Sequence, residues 1–175
     1  MRIDIVPYDP VWADMAAKET ERWEKALGTA LREVHHIGST AVPGLSAEPV
    51  IDLIAVIAPD VDLDKLQPLV HAMGYEWLGE FGQPGRRYCR RSSPTSGKRL
   101  VKAHCWSEGD SEILRHLAFR DALRADPMLR GAYETRKRHC ASLHRDDAAA
   151  YAACKSGWID TAEARALKAL AGEDG

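Results

Sequence analysis

Apolar positions in the first half of the chain switch between helical and strand spacing. Asp9 and Pro10 precede apolar residues at helical spacing, which predicts a helix that starts there and ends at Gly28. Glu33–Ile37 predicts a short strand. Val50–Ile57 is almost entirely apolar and β-branched, which predicts a strand buried on both faces.

The pattern continues with shorter elements and then becomes helical. A helix is predicted over Leu63–Met73, and strand signals of lower strength occur at Ile3 to Ile5, Tyr75–Leu78, Arg86–Arg91 and Leu100–Trp106. After Gly109 we expect only helices. One follows Gly109 directly, a second begins at Asp126 and Pro127, a third covers Asp147–Lys155, and the last runs from a capping box at Asp160 to Ala171.

This order of elements predicts an α+β fold, a mixed sheet flanked by helices with a helical C-terminal half. We expect one domain over 1–175, with a mixed α/β core at 1–108 and a helical part at 109–175. The 175 residues are 45% hydrophobic and 29% charged, which is typical of a globular protein. No secretory signal and no apolar run of membrane-spanning length are evident, so a cytoplasmic location and no membrane partner are predicted.

Charge and cysteine usage narrow the function classes. The net charge of -2 argues against a nucleic-acid partner. Seven basic residues and no acid lie between Phe81 and Ser107, and Arg86 and Arg87 among them could bind phosphate, although a charged, solvated edge strand is the alternative. The four cysteines are dispersed, which predicts reduced thiols and neither a disulfide framework nor a zinc site.

The candidate chemistry centres on a small-residue turn and one acid. Gly38, Ser39 and Thr40 can hold a phosphate through backbone N–H groups and hydroxyls, although a plain turn has the same composition. Asp52 lies inside the apolar strand, where a carboxylate is costly unless it is paired or binds a metal. His104 could reach a metal held by Asp52, or it could be an ordinary core histidine. A metal hydrolase that uses His35, His36 and His104 is disfavoured, because His35 and His36 are adjacent on a predicted strand and their side chains would point to opposite faces.

Several segments together resemble the GrpB-like family, a branch of the nucleotidyltransferase superfamily. They are Val6-Pro7-Tyr8-Asp9-Pro10-x-Trp12, His36 to Leu45, Pro49 to Asp52, Gly79 to Tyr88, Leu117 to Asp121, and Tyr151-x-x-Cys154-Lys155. The resemblance covers most of the chain, and the segment from His36 to Leu45 is its most specific part.

The resemblance implies roles for individual residues. Gly38 and Ser39, with Thr40, would hold a nucleoside triphosphate, and Asp52 would bind Mg²⁺. In the superfamily a second acid lies two residues after the first, and here that position is Ile54. Glu80 or His104 would therefore complete the site. The remaining phosphate charge would be neutralised by Arg86, Arg87 and Lys155.

The expected function is a nucleotide- and Mg²⁺-dependent transfer of a nucleotidyl or phosphoryl group to an unknown small acceptor. The alternative is a non-catalytic module that binds a nucleotide or a coenzyme A-like ligand, because members of the resembling family occur fused to dephospho-coenzyme A kinase. The family also tends to have a His-x-His pair where this chain has Lys102-Ala103-His104, so only the second histidine is kept.

Overall fold

The computed structural model describes residues 2–172, which form a five-stranded mixed sheet with helices on both faces. The strands lie in the order β1-β2-β5-β4-β3, and β2 pairs in parallel with β5 whereas the other neighbours are antiparallel. Their bounds are β1 Leu31–Ile37, β2 Ile51–Ile57, β3 Glu76–Trp77, β4 Arg87–Ser92 and β5 Arg99–Ser107. The predicted α+β class is confirmed, and β1, β2, β4 and β5 match predicted strands. The predicted strand Tyr75–Leu78 is also present, as the two residues of β3.

Five α-helices cover the sheet. Their bounds are α1 Val11–Leu27, α2 Gln67–Ala72, α3 Ser111–Ala125, α4 Pro127–Leu143 and α5 Ala148–Ala171. Helices α1 and α2 pack on one face, and α3 packs on the other, where α4 and α5 join it. Among the helices within 2–172, none combines the length and the apolar character needed to cross a bilayer.

Strand β2 is the centre of both layers. Its residues Ile51, Leu53, Ala55 and Ile57 belong to the core beneath α1 and α2, as the period-2 pattern predicts. Ile54 and Val56 belong to a smaller core on the opposite face, with Trp106 of β5. Full burial of one such side chain stabilises the fold by roughly 1.5–3 kcal/mol. Because β2 buries side chains on both faces of the sheet, it stabilises the packing of both helical layers. Asp52 is the first β2 residue on the second face.

Two predicted elements differ from the structure. The predicted pair of helices near the C-terminus is one continuous helix, α5, in which Asp160 is an interior residue. The helix is held on both sides of Asp160, because Trp158 stacks on Tyr133 with 5.2 Å between ring centroids and Ala162 and Ala166 are buried. The strand signal at Ile3 to Ile5 was also wrong, since these residues lie in no strand, and the residue after them, Val6, forms an isolated bridge to Ala47.

The prediction of four reduced thiols was wrong as well. Cys140 of α4 and Cys154 of α5 form a disulfide, with their Cα atoms 5.8 Å apart. Sequence spacing could not reveal it, because the two residues are 14 positions apart and meet only when α4 and α5 pack. Cys89 and Cys105 are free and buried in the core beneath α1.

We expect reduction of this disulfide to destabilise the protein by about 3 kcal/mol, because a cross-link that closes a loop of about 15 residues restricts the unfolded chain to that extent. Denaturant unfolding with and without dithiothreitol measures the difference. The Cys154→Ser variant should unfold like the reduced wild type and should not respond to dithiothreitol. Equal unfolding midpoints for oxidised and reduced wild type would contradict the disulfide.

Candidate functional site

The turn after β1 lies directly against the acid of β2. Ile37 is the register partner of Asp52, and Gly38 follows it with φ 76 before a 3-10 turn at Ser39–Ala41. A Cβ on Gly38 would be 2.8 Å from Oδ2 and 3.2 Å from Cβ of Asp52, so the Asp52 side chain or the turn would have to move. The two features that the sequence singles out therefore share one cleft.

Helix α3 holds this turn in place. Arg120 donates to the carbonyl of His36 at 3.1 Å, and Arg124 donates to the carbonyl of Ala41 at 2.9 Å. The His36 ring is within 2.8 Å of the Thr40 hydroxyl, and burial lowers the pKa of His36 to about 4, so the ring is neutral. Hydrogen bonds from a guanidinium group to a backbone carbonyl are charge-assisted. The two that Arg120 and Arg124 donate therefore hold the turn against the helical half.

The Asp52 carboxylate faces the cleft without a partner. Within residues 2–172 it accepts no hydrogen bond and forms no ion pair, although the residue is only partly exposed. Burial raises its pKa, and the positive charges of Lys102 and Lys155 oppose that rise. Lys102 is its register partner on β5, and the negative charge of Asp52 in turn raises the pKa of Lys102. A carboxylate left without a partner at this depth is suited to bind a cation or a ligand proton.

One side of Asp52 opens into a cavity of about 140 Å³ that we call the lysine cavity. Its walls include Gly38, Ser39, Thr40, Glu48, Asp52, Lys102, Tyr133, Lys137, Tyr151 and Lys155. Lys137 donates from Nζ to the Ser39 hydroxyl at 3.0 Å and to the carbonyl of Ser46. Lys155 places its Nζ 4.0 Å from the centroid of the Tyr151 ring.

The lysines of this cavity repel one another. Burial and the charge of Lys155 lower the pKa of Lys137 to about 7, and burial together with Lys102 lowers the pKa of Lys155 to about 8. Glu48 offsets part of this effect on both groups. An anion that enters the cavity would relieve the repulsion, so the arrangement favours a multiply charged anion.

The other side of Asp52 opens into a cavity of about 210 Å³ that we call the apolar cavity. It shares Gly38, Ser39, Asp52 and Tyr133 with the lysine cavity, and its other lining residues are Ile37, His104, His116, Phe119, Arg120, Leu123, Ile159 and Glu163. Asp52 is therefore reached from two sides that differ in chemistry, one cationic and one largely apolar.

His104 lies in the apolar cavity but does not form a metal cluster with Asp52. Nη1 of Arg86 is 3.3 Å from Nδ1 of His104, and burial lowers the pKa of His104 to about 3. No group of three or more His, Cys, Asp or Glu residues in the described part of the chain has the geometry of a metal site. A metal ion at Asp52 would need oxygen ligands from a substrate.

Six of the predicted site residues line the two cavities, namely Gly38, Ser39, Thr40, Asp52, His104 and Lys155. Glu80, Arg86 and Arg87 line neither cavity. Glu80 accepts from the Gly85 N–H at 2.6 Å within its own turn. Arg87 is the register partner of the core residue Cys105, so it points to the opposite face, where it binds Asp64 at 2.6 and 3.0 Å. Arg86 reaches the site only through its contact with His104.

Sequence reasoning missed Glu48, Lys102, Tyr133, Lys137 and His116 as lining residues. Lys137 carried a usable signal, because it lies between Tyr133 and Cys140 on the apolar stripe of α4, and a lysine there is only 2% exposed in the structure. For Glu48 and His116 no pattern in the sequence indicates that they reach the cleft.

Comparison with known proteins gives consistent matches. The family model described as GrpB protein matches residues 2–165. UPF0157 protein YqkA of Bacillus subtilis (strain 168) is 34% identical over 167 residues, which cover 95% of this chain and 48% of YqkA, so the chain spans about half the length of that relative. The crystal structure of the conserved protein GrpB from Enterococcus faecalis superposes with a TM-score of 0.87 and 37% identity, over 95% of this chain and 99% of that one.

A more distant likeness concerns the fold. The Cid1 poly(U) polymerase, in a crystal structure with Mg and 3'-dATP bound, superposes with a TM-score of 0.58 and 13% identity, over 86% of this chain and 49% of that one. At this identity the likeness shows the architecture alone. The fold is nucleotidyltransferase-like, as expected from the sequence.

We expect Gly38→Ala to lower the free energy of unfolding by about 1–3 kcal/mol, because its backbone conformation, φ 76 and ψ -174, is nearly confined to glycine, with a further loss because its Cβ meets the Asp52 carboxylate. Gly44→Ala is the matched control, since Gly44 has φ 84 and open space around its Cβ position. Denaturant unfolding of both variants measures the difference. If both lose equal stability, the contact between the turn and the acid is not tight.

Proposed function

The chain belongs to the GrpB family, and from this premise we propose that it binds a nucleoside triphosphate with Mg²⁺ and transfers a nucleotidyl or phosphoryl group to a small acceptor. The observation that carries the proposal is the position of the lysine cavity, which opens directly onto the unpartnered carboxylate of Asp52. Phosphoryl chemistry depends mainly on positioning and on stabilisation of charge, and these residues supply both.

The lysine cavity suits a polyphosphate. Lys102, Lys137 and Lys155 come from three different elements and converge on one space. The Ser39 hydroxyl already accepts from Lys137, so it can donate its own proton to a phosphate oxygen. Gly38 allows the backbone to approach a ligand closely, as phosphate-binding turns require.

The residues present fit one Mg²⁺ ion shared with a substrate. Mg²⁺ is usually bound by one or two carboxylates together with waters and substrate phosphates, and Asp52 is a single carboxylate of this kind. The ion would neutralise negative charge at the transferred group. Lys102 lies beside Asp52 in the sheet register and would contribute a second positive charge near the same phosphate.

A specific observation favours the alternative of a non-catalytic module for a nucleotide or coenzyme A-like ligand. Ile54, at the position where a second acid would lie, is fully buried, and its register partner is His104. A two-metal mechanism requires carboxylates that clamp both ions. Metal dependence therefore separates the two functions.

Calorimetric titration with ATP, with and without Mg²⁺, tests the proposal. We expect wild type to bind ATP more tightly with Mg²⁺, and Asp52→Asn to lose this enhancement while it keeps metal-free binding. Lys155→Met should weaken binding about tenfold or more, since a charge-assisted hydrogen bond contributes about 1.5–3 kcal/mol. Lys98→Met, at an exposed lysine outside the cavity, is the control and should bind normally.

Binding that ignores both Mg²⁺ and Asp52 would support the non-catalytic module. If neither ATP, GTP, CTP nor UTP binds at millimolar concentration, the proposed function is wrong.

ATP affinity should fall as the pH rises above about 7. The pKa of Lys137 is about 7 and that of Lys155 about 8 in the free protein, and bound phosphate raises both. The complex then holds more protons than the free protein, so each pH unit above this range weakens binding, up to about tenfold per lysine. Calorimetry across pH 6 to 9 measures the slope, which Lys137→Met should reduce. A flat profile in wild type would contradict the assigned lysine environment.

A further inference from the structure

The apolar cavity has no role in the function proposed above. Phosphates and a cation would occupy the lysine cavity and the cleft at Asp52, but the apolar cavity lies on the other side of that carboxylate. A transfer reaction needs two substrates that meet at the transferred phosphorus. The second cavity therefore adjoins the position where an acceptor must lie.

The walls of the apolar cavity do not suit a phosphate or another anion. No lysine lines it, and its one guanidinium, from Arg120, is committed to the His36 carbonyl at 3.1 Å and to Asp121 at 2.9 Å. The Glu163 carboxylate is likewise committed, as it accepts from Arg115. What remains is mainly apolar surface from the side chains Ile37, Phe119, Leu123, Tyr133 and Ile159.

Besides Asp52, Ser39 and Tyr133, two histidine rings supply polar groups in this cavity. His104 and His116 stack with 6.1 Å between ring centroids. Because Arg86 donates toward Nδ1 of His104, the ring proton lies on Nε2, which can act as a donor. Such a pair offers hydrogen bonds to a hydroxyl or an amine without introducing a charge.

The volume of the cavity limits the size of its ligand. An apolar cavity of about 150 Å³ in another protein accommodates benzene. At about 210 Å³ the apolar cavity holds one ring with a few additional atoms. A nucleoside with its sugar and base is larger than such a space.

We propose that the apolar cavity is the acceptor site, and that it takes a small uncharged molecule with one ring or an aliphatic body of similar size and a hydroxyl group, or an amino group on an aromatic ring, directed at Asp52. This inference rests on the proposed function. In the reaction the acceptor oxygen or nitrogen bonds to phosphorus, and the bond from phosphorus to the leaving phosphate breaks. Pyrophosphate or a nucleoside diphosphate then departs, and the acceptor proton passes to water.

Phenol is the probe for this site, because it combines one apolar ring with one hydroxyl. We expect ligand-observed NMR to detect phenol binding to wild type with a millimolar Kd. Ile159→Trp fills the cavity and should weaken binding at least tenfold. Leu170→Trp, at an exposed leucine of the same helix, is the matched control and should bind phenol normally. Lys155→Met should also bind phenol normally, since Lys155 lines only the lysine cavity.

A second variant covers the case in which Ile159→Trp does not fold. Ile159→Ala enlarges the cavity and should admit 2-naphthol. We expect wild type to bind 2-naphthol at least tenfold more weakly than Ile159→Ala does. Phenol binding that is equal in wild type and in a folded Ile159→Trp variant would overturn the inference, as would equal binding of 2-naphthol to wild type and Ile159→Ala.

The decisive measurement repeats the phenol titration at saturating ATP and Mg²⁺. An acceptor must bind together with the nucleotide, so the Kd for phenol should change less than threefold. Competition between phenol and ATP would overturn the inference, because the nucleoside would then occupy the cavity. ATP binding without phenol binding overturns the acceptor site alone. Phenol binding without ATP binding overturns the proposed function and the acceptor role together.

Discussion

The contact between Gly38 and the Asp52 carboxylate constrains the rest of the site. Antiparallel pairing of β1 with β2 sets Ile37 opposite Asp52, and the next residue must then turn away with a positive φ and no side chain. Only glycine meets both conditions without strain. The backbone N–H groups of the turn, the Ser39 hydroxyl and the carboxylate are thereby fixed in one cleft, whatever the cleft binds.

Like charges are crowded in this cleft at a cost to the stability of the free protein. Lys102, Lys137 and Lys155 are brought together from a strand and two helices, and burial lowers the pKa of the two helical lysines. Such crowding destabilises the empty site. The Cys140–Cys154 disulfide joins the same two helices next to these lysines, so the covalent bond resists the separation that charge repulsion favours.

The two cavities that share Asp52 differ in chemistry. The lysine cavity is cationic, whereas in the apolar cavity Arg120 and Glu163 are already paired and the polar groups besides Asp52 are neutral, among them the Ser39 hydroxyl and the imidazoles of His104 and His116. Asp52 and Ser39 belong to both. Ile54, at the position where a second acid would lie, is buried in the apolar cluster with Ile37, Val56 and Trp106.

Sequence by itself determined the α+β class, the buried strand β2 and its two-faced pattern, and the pairing of the Gly38–Thr40 turn with Asp52, because these depend on local periodicity and on residues near one another along the chain. Only the tertiary structure decided which basic residues reach the cleft. Arg87 lies on the opposite face of the sheet, because successive side chains of β4 alternate between the two faces. Lys137 lines the cleft because α4 packs its apolar stripe against it. The disulfide and the second cavity likewise depend on how α3, α4 and α5 pack, and packing between distant segments leaves no periodic signal in a single sequence.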